Sequence, residues 1–425
     1  MQWNILWIKQ KVVPSLASDT QADPLLLFEG KRLKILIVHP HIYPGGAEKA
    51  VVKLARNLVQ LGNEVYVGTL SLDLRGMSED AYGLNYITPD REILPIPPHN
   101  TISTLRRYFS ELVLLRRLVR KAMRERRYDV INAHNFPAYW AVSSVHGAPL
   151  VWTCNEVLGT YRETRELSRR SQLFRNMFSI AKFFDELLVN RFISAIIANS
   201  FLTRSQVKER YGRDAYVAIP GVDAPSYTSI DRKDLLAFSS YDGLKILDVG
   251  SLTLPKNHHL VIGAAAALHN EGERVRLLIV GDGPLRDELN SRILKGSLRD
   301  SAQILARCSE EELNFLYRSS DVVVLPAIDQ TFGLVPVEAL ASGTPTIVSK
   351  GSGVTKLIEG SRACLAVEPQ LEPLVNALRF LIKNKESIKS EARTEAARIR
   401  SEFPWSNFAK KHLQVFEAAS REGYH

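Results

Sequence analysis

Two series of apolar, β-branched segments alternate with helical stretches along this chain, and they restrict its fold more than any other feature. The first series starts with LKILIVHP at Leu33, continues through a helix predicted over Ala47–Leu61 and reaches EVYVGTL. The second starts with LKILDVGSL at Leu244 and continues through RLLIVGDGP, SAQIL, DVVVL and TPTIVS. Such alternation is typical of parallel sheets covered by helices on both faces. The sequence therefore predicts an α/β protein that contains two sheets of this kind.

Chain length and a polar interruption divide the chain into two domains. At 425 residues it is long for a single hydrophobic core. The polar stretch SYTSIDRKD separates the two strand–helix series. We predict a first domain over 31–225, a linker over 226–243 and a second domain over 244–403. Further strands are expected at Val130–Ala133, Leu150–Thr153, Ala195–Asn199 and Tyr216–Ile219.

Both ends of the chain lie outside these two domains. The apolar stretch from Trp3 to Ile8 precedes its lysines, the reverse of the order in a secretory signal peptide. We interpret residues 1–30 as a disordered extension, with a membrane-touching tail as the alternative. Residues 404–425 are predicted to form a helix with an apolar face that includes Trp405 and Phe416. No stretch of the sequence predicts a transmembrane helix.

The composition fits a globular enzyme in a reducing compartment. Hydrophobic residues make up 45% and charged residues 24% of the chain, which is ordinary for such a protein. Cys154, Cys308 and Cys364 are far apart in the sequence. This spacing argues against a disulfide framework and against a thiolate metal site. We therefore predict a cytoplasmic protein.

The net charge of +9 is concentrated in one predicted helix. Between Arg106 and Arg127 there are nine basic residues against only Glu111 and Glu125. Apolar residues recur at helical spacing on one side of this helix, and arginines cluster on another. The apolar set is Leu105, Phe109, Leu112, Leu115 and Val119. The helix suits an anionic membrane surface or a phosphate-bearing acceptor, and a solvated surface helix is the alternative. No nucleic-acid-binding module is recognisable.

The segment Asp321–Gly343, DVVVLPAIDQTFGLVPVEALASG, predicts a ligand site. Its apolar run fits a strand covered on both faces, and Pro326 ends it. The loop that follows opens at the carboxyl end of a strand, where open parallel sheets bind ligands. Backbone N–H groups at Phe332–Leu334 can hold an anion at the start of a helix. Glu338 lies about two turns into that helix, within reach of the same ligand.

Several further segments place glycine, histidine or lysine beside predicted strand ends. Gly45 and Gly46 form an unobstructed loop before a helix, and His134 follows the strand in DVINAHNFPA. Lys256 in GSLTLPKNHH precedes a helix of the second domain. Asn155 and Glu156 follow another strand and are candidate acceptor contacts. His39 and His41 suggest a metal site, but no further ligand has the spacing to complete one, so we predict no metal.

The ordered set of motifs resembles the family 4 retaining glycosyltransferases over roughly residues 33 to 420. The resemblance rests on HIYPGGAEKAVVKLARNL, DVINAHNFPA, GSLTLPKNHH, VGDGP, ILARCSEEELNFLY and VVVLP followed by FGLVPVEALASGTP. It implies a GT-B fold, in which two facing Rossmann-like domains form the active site in the cleft between them. It also implies transfer of a hexose from a UDP- or GDP-sugar to a hydroxyl acceptor with retention at the anomeric carbon. The C-terminal helix would cross back onto the first domain.

The resemblance also implies roles for particular residues. Glu338 would bind the ribose hydroxyls, Lys256 the diphosphate and His134 the donor sugar. The catalytic set implied is His134, Lys256 and Gln330. The donor-binding set implied is Gly45, Gly46, Ser251, Lys256, Gly281, Gly283, Arg307, Cys308, Gln330, Phe332, Gly333, Leu334 and Glu338. No cofactor is expected beyond the donor itself, because the family is commonly assigned a metal-independent same-face mechanism in which the departing phosphate assists the incoming hydroxyl.

Two positions depart from the family pattern. Gln330 stands where the family has the first of two acidic residues, and Ser251 stands where it has an arginine. Two functions therefore remain open. One is an active transferase that works on a glycolipid, a lipid-linked oligosaccharide or a polysaccharide, in the cytoplasm or at the inner face of the membrane. The other is a binding subunit of GT-B shape that has lost turnover and assists an active transferase.

Overall fold

The computed structural model describes residues 32–91, 101–143, 145–158, 172–224, 230–306, 308–328 and 330–422, with the backbone alone described for 101–105 and 172–178. The predicted N-terminal extension and the predicted site residue Arg307 lie outside the described residues. From Leu33 onward the chain forms one compact unit.

The first half of the chain builds a parallel sheet of seven strands. The strands of this half are β1 (Lys34–Val38), β2 (His41–Ile42), β3 (Glu64–Gly68), β4 (Ser71–Leu72), β5 (Asn85–Ile87), β6 (Val130–His134), β7 (Leu150–Cys154), β8 (Ala195–Ala198) and β9 (Tyr216–Val217). The sheet order is β5-β3-β1-β6-β7-β8-β9, while β2 and β4 form a separate short pair. Central strands such as β6 and β7 are buried along their whole length, and the polar residues they contain are hydrogen-bonded within the core.

The second half repeats the architecture with six parallel strands. These are β10 (Leu244–Val249), β11 (Val275–Val280), β12 (Ala302–Leu305), β13 (Val322–Leu325), β14 (Thr346–Ser349) and β15 (Cys364–Val367). Their order is β12-β11-β10-β13-β14-β15. β10 lies between β11 and β13, and the chain adds strands outward from β10 in opposite directions on its two sides. The loops that follow these strands therefore diverge and leave a crevice at the carboxyl ends of the strands.

Helices connect the strands and cover both sheets. Those of the first half are α1 (Gly46–Gln60), α2 (Thr101–Glu125), α3 (Ala138–Val142), α4 (Gln172–Phe192) and α5 (Phe201–Tyr211). Those that follow are α6 (Lys233–Ser239), α7 (His258–Asn270), α8 (Arg286–Lys295), α9 (Glu310–Ser319), α10 (Leu334–Ala341), α11 (Leu371–Lys383), α12 (Lys385–Glu402) and α13 (Trp405–Glu422). Short 3-10 turns occur at Glu79–Ala81, Leu254–Lys256 and Thr355–Leu357.

The last helix, α13, packs on the first domain although it follows the second in sequence. Trp405, Phe408 and Phe416 of α13 share a buried apolar cluster with Val51 and Leu54 of α1. The chain passes between the two halves where the backbone N–H of Val222 donates to the carbonyl of Phe403 at 2.8 Å. The two sheets are therefore connected at two places in the sequence, before β10 and before α13.

The basic helix α2 differs from its sequence pattern in one respect. Leu115, Leu118, Val119 and Ala122 are buried, but Phe109, assigned to the same apolar face, is 71% exposed. Phe109 borders a cavity instead of packing into the core. Within the described residues, none of the helices is both long enough and apolar enough to cross a lipid bilayer.

Candidate functional site: the cleft between the two sheets

The carboxyl ends of both sheets border one cavity of about 1420 Å³. On the first domain, Asn135, Asn155 and Asn199 line it, each immediately after a strand of the sheet. On the second domain, the lining includes Gly250 and Gly281 after β10 and β11. Such a cavity accommodates a ligand larger than an ordinary metabolite, and it lies where parallel sheets bind ligands.

The glycine loop before α1 forms part of the cavity wall. A Cβ on Gly45 would lie 2.3 Å from Oε2 of Glu48, so the carboxylate fills the space that a side chain would need. A Cβ on Gly46 would lie 3.4 Å from Cδ1 of Leu334 in the second domain. The two predicted glycines therefore permit close approach of the loop both to its own helix and to the opposite domain.

Lys256 and Gln330 meet in the cavity. The Lys256 ammonium donates to Oε1 of Gln330 at 2.5 Å, and both side chains line the cavity wall. Ser251 lines the same wall and is exposed. Its carbonyl accepts a hydrogen bond from Nε2 of His258 at 3.0 Å, whose other ring nitrogen contacts Asp248 at 2.7 Å. The His258–Asp248 pair thus fixes the loop that carries Ser251 and Lys256.

The glycines of VGDGP have a packing role as well as a position beside the cavity. A Cβ on Gly281 would lie 1.8 Å from the carbonyl oxygen of Gly250, so two cavity loops touch here through their backbones. Gly283 has φ +155°, and a Cβ there would lie 2.7 Å from the Leu252 carbonyl. Gly281 and Asp282 line the cavity. Gly283, which was also predicted to bind the donor, does not line it and packs against the Leu252 backbone.

The loop before α10 presents backbone and apolar groups to the cavity. Phe332, Gly333 and Leu334 all line it, and α10 begins at Leu334. Gly333 has φ +97°, a left-handed conformation that favours glycine, and this turn directs the first N–H groups of α10. Phe332 is buried at 3% exposure and anchors the loop.

Glu338 is held by a cation from the opposite domain. Nζ of Lys49, on α1, lies 2.8 Å from Oε1 of Glu338, and the Tyr317 hydroxyl donates to Oε2 at 2.9 Å. Nζ of Lys49 also lies 3.1 Å from Asp223 and 3.4 Å from Glu310. Burial alone would lower the pKa of Lys49, but the three carboxylates outweigh burial and raise it, so the side chain stays an ammonium. Lys49 was not among the predicted site residues, because a lysine on a helix is ordinarily a surface residue.

His134 does not line the cavity, and this differs from the role implied for it. It is fully buried in β6, where Nε2 lies 2.7 Å from Oδ1 of Asn132. Its ring stacks on His412 of α13 with centroids 6.4 Å apart and meets the edge of His39 at 6.3 Å. Burial, with the neighbouring histidines, holds the pKa of His134 well below its ordinary value, so the ring is neutral. The β6 backbone directs this side chain into the core.

A hydrogen-bond network fixes the tautomer of His134. Nδ1 of His412 contacts the carbonyl of Phe408 at 2.9 Å, so Nδ1 carries the proton and Nε2 accepts from Thr153 at 3.2 Å. Thr153 in turn accepts from the Asn132 amide at 2.9 Å, which leaves the Asn132 oxygen to accept from Nε2 of His134. Nδ1 of His134 therefore carries a lone pair, and it has no hydrogen-bond partner among the described residues.

Part of the first-domain wall of the cavity is aromatic, and we call it the aromatic side of the cleft. Tyr108, Phe109, Phe136, Tyr139 and Trp140 form it together. Ring centroids of Tyr108 and Phe136 are 5.1 Å apart, and those of Phe136 and Trp140 are 5.3 Å apart. The two candidate acceptor contacts, Asn155 and Glu156, line the same domain's wall. The first domain therefore offers an apolar aromatic surface as well as polar groups to a ligand.

Cys308 lies at the edge of the cavity on the second-domain side. Its Sγ is 3.9 Å from Nη1 of Arg232, and burial raises the pKa of the thiol to about 11. A thiol held neutral in this way is a packing group rather than a nucleophile.

Histidines that suggested a metal site have other partners. His41 contacts Ser71 at 2.8 Å and Glu111 at 3.1 Å, and His39 contacts Glu48 at 3.5 Å. In the part of the chain that the structure describes, no group of three or more histidine, cysteine, aspartate or glutamate side chains could hold a metal ion.

Two facing parallel sheets with a cleft between their carboxyl ends are the arrangement of the GT-B fold. The family model described as Glycosyltransferase Family 4 matches residues 44–224, and the model described as Glycosyl transferases group 1 matches residues 238–400. Together they span most of the chain. The chain belongs to the family 4 glycosyltransferases.

Individual relatives agree with this assignment. A phosphatidyl-myo-inositol mannosyltransferase of Mycobacterium leprae is 26% identical over 400 residues, which is 92% of this chain and 98% of that protein. Sucrose-phosphate synthase of Thermosynechococcus elongatus superposes with a TM-score of 0.77 at 18% identity, covering 92% of this chain and 100% of the other. Anabaena HepE in complex with UDP and glucose superposes with a TM-score of 0.70 at 20% identity, covering 91% of this chain and 100% of the other.

Proposed function

We propose that this protein is a retaining, metal-independent hexosyltransferase that uses a UDP- or GDP-sugar and acts on a hydroxyl of a lipid-linked or glycan acceptor. The observation that carries the proposal is the meeting of Lys256, Gln330 and Glu338 in one cleft, opposite the Gly45–Gly46 loop. These are the positions that the family uses for its donor. The glycan or lipid nature of the acceptor is supported by the phosphatidyl-myo-inositol specificity in the name of the Mycobacterium leprae relative.

Each residue has a physical role in this proposal. Glu338 accepts hydrogen bonds from the ribose hydroxyls, because a carboxylate that already holds Lys49 and Tyr317 still has unused lone pairs. The ammonium of Lys256 stabilises the negative charge that develops on the leaving diphosphate. Backbone N–H groups at Phe332–Leu334 add a helix N-terminus that favours the same charge.

The reaction breaks the bond between the anomeric carbon and the diphosphate oxygen and forms a bond from that carbon to the acceptor oxygen. The proton of the acceptor hydroxyl passes to the departing phosphate oxygen on the same face. Leaving-group stabilisation then supplies most of the rate enhancement. His134 does not line the cleft, so we propose that it acts indirectly: the hydrogen-bond network from Phe408 holds its ring at the end of β6, next to Asn135 of the cleft wall.

We further propose that the protein works as a peripheral protein at the cytoplasmic face of a membrane. Five arginines of the α2 region are exposed, and among the described residues no carboxylate pairs with any of them. They are Arg106, Arg117, Arg120, Arg124 and Arg127. Unpaired exposed cations of this kind favour an anionic lipid surface.

A turnover assay with purified protein tests the proposal. UDP- and GDP-hexoses are supplied one at a time, with and without phosphatidylinositol or polyprenyl-phosphate lipids, and release of the nucleoside diphosphate is measured. The expected result is that one donor is hydrolysed slowly alone and faster with one acceptor, and that the product keeps the donor's anomeric configuration by NMR. Inversion would overturn the retaining assignment. Tight donor binding without turnover under all acceptors would favour the binding-subunit function that Gln330 and Ser251 leave open.

A further inference from the structure

Helix α4 carries four apolar side chains on its outer surface. Ile180 is 58%, Phe183 65%, Phe184 51% and Leu187 50% exposed. Their spacing of three and four residues places them on one face of the helix, which we call the α4 ridge. None of the four belongs to a core cluster of the described residues. Four large apolar side chains at half exposure or more on a single helix face are a patch that ordinarily marks an interaction site.

The opposite face of α4 fixes the direction in which the ridge points. Asp185 is fully buried there and accepts hydrogen bonds from the Tyr139 and Tyr211 hydroxyls, each at 2.6 Å, and from Nε1 of Trp140 at 2.7 Å. Rotating the helix to bury the ridge would break all three bonds to a buried carboxylate. The ridge is therefore held outward by the core of the first domain.

Helix α4, which carries the ridge, also borders the cleft. Ala181, next to Ile180 on α4, lines the cavity together with Phe109 and Trp140. Trp140 packs against the buried face of α4, where it donates to Asp185, and its ring contacts Phe136, whose ring meets Tyr108 of α2. The helix that bears the ridge is therefore packed against the aromatic side of the cleft.

Exposed cations lie on both first-domain helices that border the cleft. Arg117, Arg120, Arg124 and Arg127 follow Phe109 along the α2 region, and none of them pairs with a carboxylate among the described residues. On α4 itself, Arg191 is exposed one turn beyond Leu187. An apolar ridge in a domain that also carries exposed cations is complementary to a surface that is apolar within and anionic at its edge.

A second copy of the chain fits the ridge poorly. Four side chains about half exposed present on the order of 400 Å², given about 150–250 Å² for each large side chain, against about 800 Å² per partner in a standard interface. Two copies would also bring together surfaces of the same positive sign. Area and charge both favour a lipid bilayer as the occupant.

We propose that the α4 ridge inserts into the headgroup–acyl boundary of an anionic lipid bilayer, with the α2 arginines against the headgroups. The cleft then opens at the membrane surface, where the aromatic side receives the apolar chain of a lipid-linked acceptor. The insertion of the ridge into a bilayer does not depend on the proposed function. The delivery of a lipid-linked acceptor to the cleft does rest on it.

The test uses the full-length protein and vesicles of phosphatidylcholine mixed with phosphatidylglycerol. The double variant Phe183→Ser/Phe184→Ser is compared with the control Phe380→Ser, which changes a 50% exposed phenylalanine on α11 of the second domain. In cosedimentation, the double variant is expected to bind at least about tenfold more weakly, and the control to bind like the wild type. Donor hydrolysis in the absence of vesicles should be the same in all three proteins, since the ridge does not contact the donor.

Depth is measured separately with the variant Phe183→Trp and vesicles whose acyl chains carry bromine. Quenching of the added fluorescence is expected for Phe183→Trp and not for Phe380→Trp. Unchanged vesicle binding by the double variant would overturn the proposal. A second outcome would also overturn it: the wild type is a dimer in light scattering, and the double variant is a monomer that still binds vesicles. That result would assign the ridge to a second copy of the chain. If the wild type hydrolyses no donor but still binds vesicles through the ridge, only the proposed function would be overturned.

Discussion

The ion pair between Lys49 and Glu338 joins the two domains at the residue that the family uses for the donor ribose. Removing Lys49 leaves Glu338, Glu310 and Asp223 near one another without their shared cation. Lys49→Ala is therefore expected to lower the free energy of unfolding by about 2 kcal/mol. This loss is smaller than that for breaking a fully buried ion pair, because the Lys49 and Glu338 side chains are each 16% exposed. Thermal unfolding measures it, with the exposed Lys411→Ala as the matched control. Lys49→Arg should recover most of the loss. Equal stability of Lys49→Ala and the wild type would contradict the account.

Buried neutral histidines make stability depend on pH. Burial lowers the pKa of His412 to about 4, against about 6.5 in an unfolded chain. Below pH 6.5 the unfolded chain therefore binds a proton that the folded protein does not, so stability is lost as the pH falls from 6.5 toward 4. The loss from His412 is expected to be about 2 kcal/mol between pH 7.5 and pH 5. Buried His134, also held neutral, adds to the loss in the same direction.

The variant His412→Gln checks this assignment in urea unfolding at both pH values. An amide can still bond to Thr153 but does not titrate, so the difference in stability between pH 7.5 and pH 5 should shrink by about 2 kcal/mol. An undiminished pH dependence in the variant would mean that the titrating group lies elsewhere.

Gln330 distinguishes an active enzyme from an impaired one. Its Oε1 accepts from the ammonium of Lys256, and a glutamate at this position would hold that ammonium in an ion pair. Because such a pair competes with the diphosphate for Lys256, Gln330→Glu is expected to leave turnover unchanged within about threefold or to lower it. The measurement is nucleoside diphosphate release with the preferred donor. A rise of a hundredfold or more would support the binding-subunit function instead.

At the residue scale, the site residues that could be predicted are those placed by the local order of strands, loops and helices. Gly45, Lys256 and Gln330 lie in the segments that connect strands to helices, Gly46 begins α1, and Glu338 lies just over one turn into α10. Parallel-sheet topology therefore brings all five to one edge. Lys49 and His412 were missed because their partners are distant in sequence, and no local pattern marks them. The recognisable signal for Lys49 was its place one turn into a helix that begins at a glycine loop beside an anion site.

At the element scale, helix α2 has the most distinctive charge pattern. Charge reversal at Arg117, Arg120 and Arg124 is expected to abolish most binding to anionic vesicles, because each unpaired cation near the surface contributes about 1 kcal/mol. Vesicle cosedimentation measures it, and added salt should weaken the wild type in the same way. Reversal of the ion-paired Lys121, which lies 3.5 Å from Asp90, is the control and should have a smaller effect. Binding that is indifferent to salt would contradict an electrostatic contact.

Most elements of both sheets could be predicted from the sequence, and those that could not have a common cause. Strands β1, β6, β10 and β13 were predicted because strands buried on both faces are predominantly apolar. The short edge strands β5 and β15 were missed, since their partly exposed residues give no such run and only pairing with β3 and β14 defines them.

At the scale of the whole molecule, the fold class was confirmed, whereas the domain boundaries remain predictions. What the sequence could not supply is the relation between the two domains. That relation depends on contacts such as Leu334 against the Gly46 loop and Lys49 against Glu338, whose partners lie hundreds of residues apart in the chain. These contacts close the cleft around the residues that the motifs predicted.

The central claim is that a nucleotide diphosphate binds in this cleft through Glu338 and Lys256. Calorimetric titration of UDP and GDP into the purified protein tests it most directly. One nucleotide is expected to bind at a single site, at least about tenfold more weakly to Glu338→Ala, while the exposed-site control Glu359→Ala binds like the wild type. Lys256→Ala should weaken the diphosphate much more than the corresponding nucleoside. Wild-type affinity in both Glu338→Ala and Lys256→Ala would contradict the account, because the nucleotide would then bind outside the cleft between the two sheets.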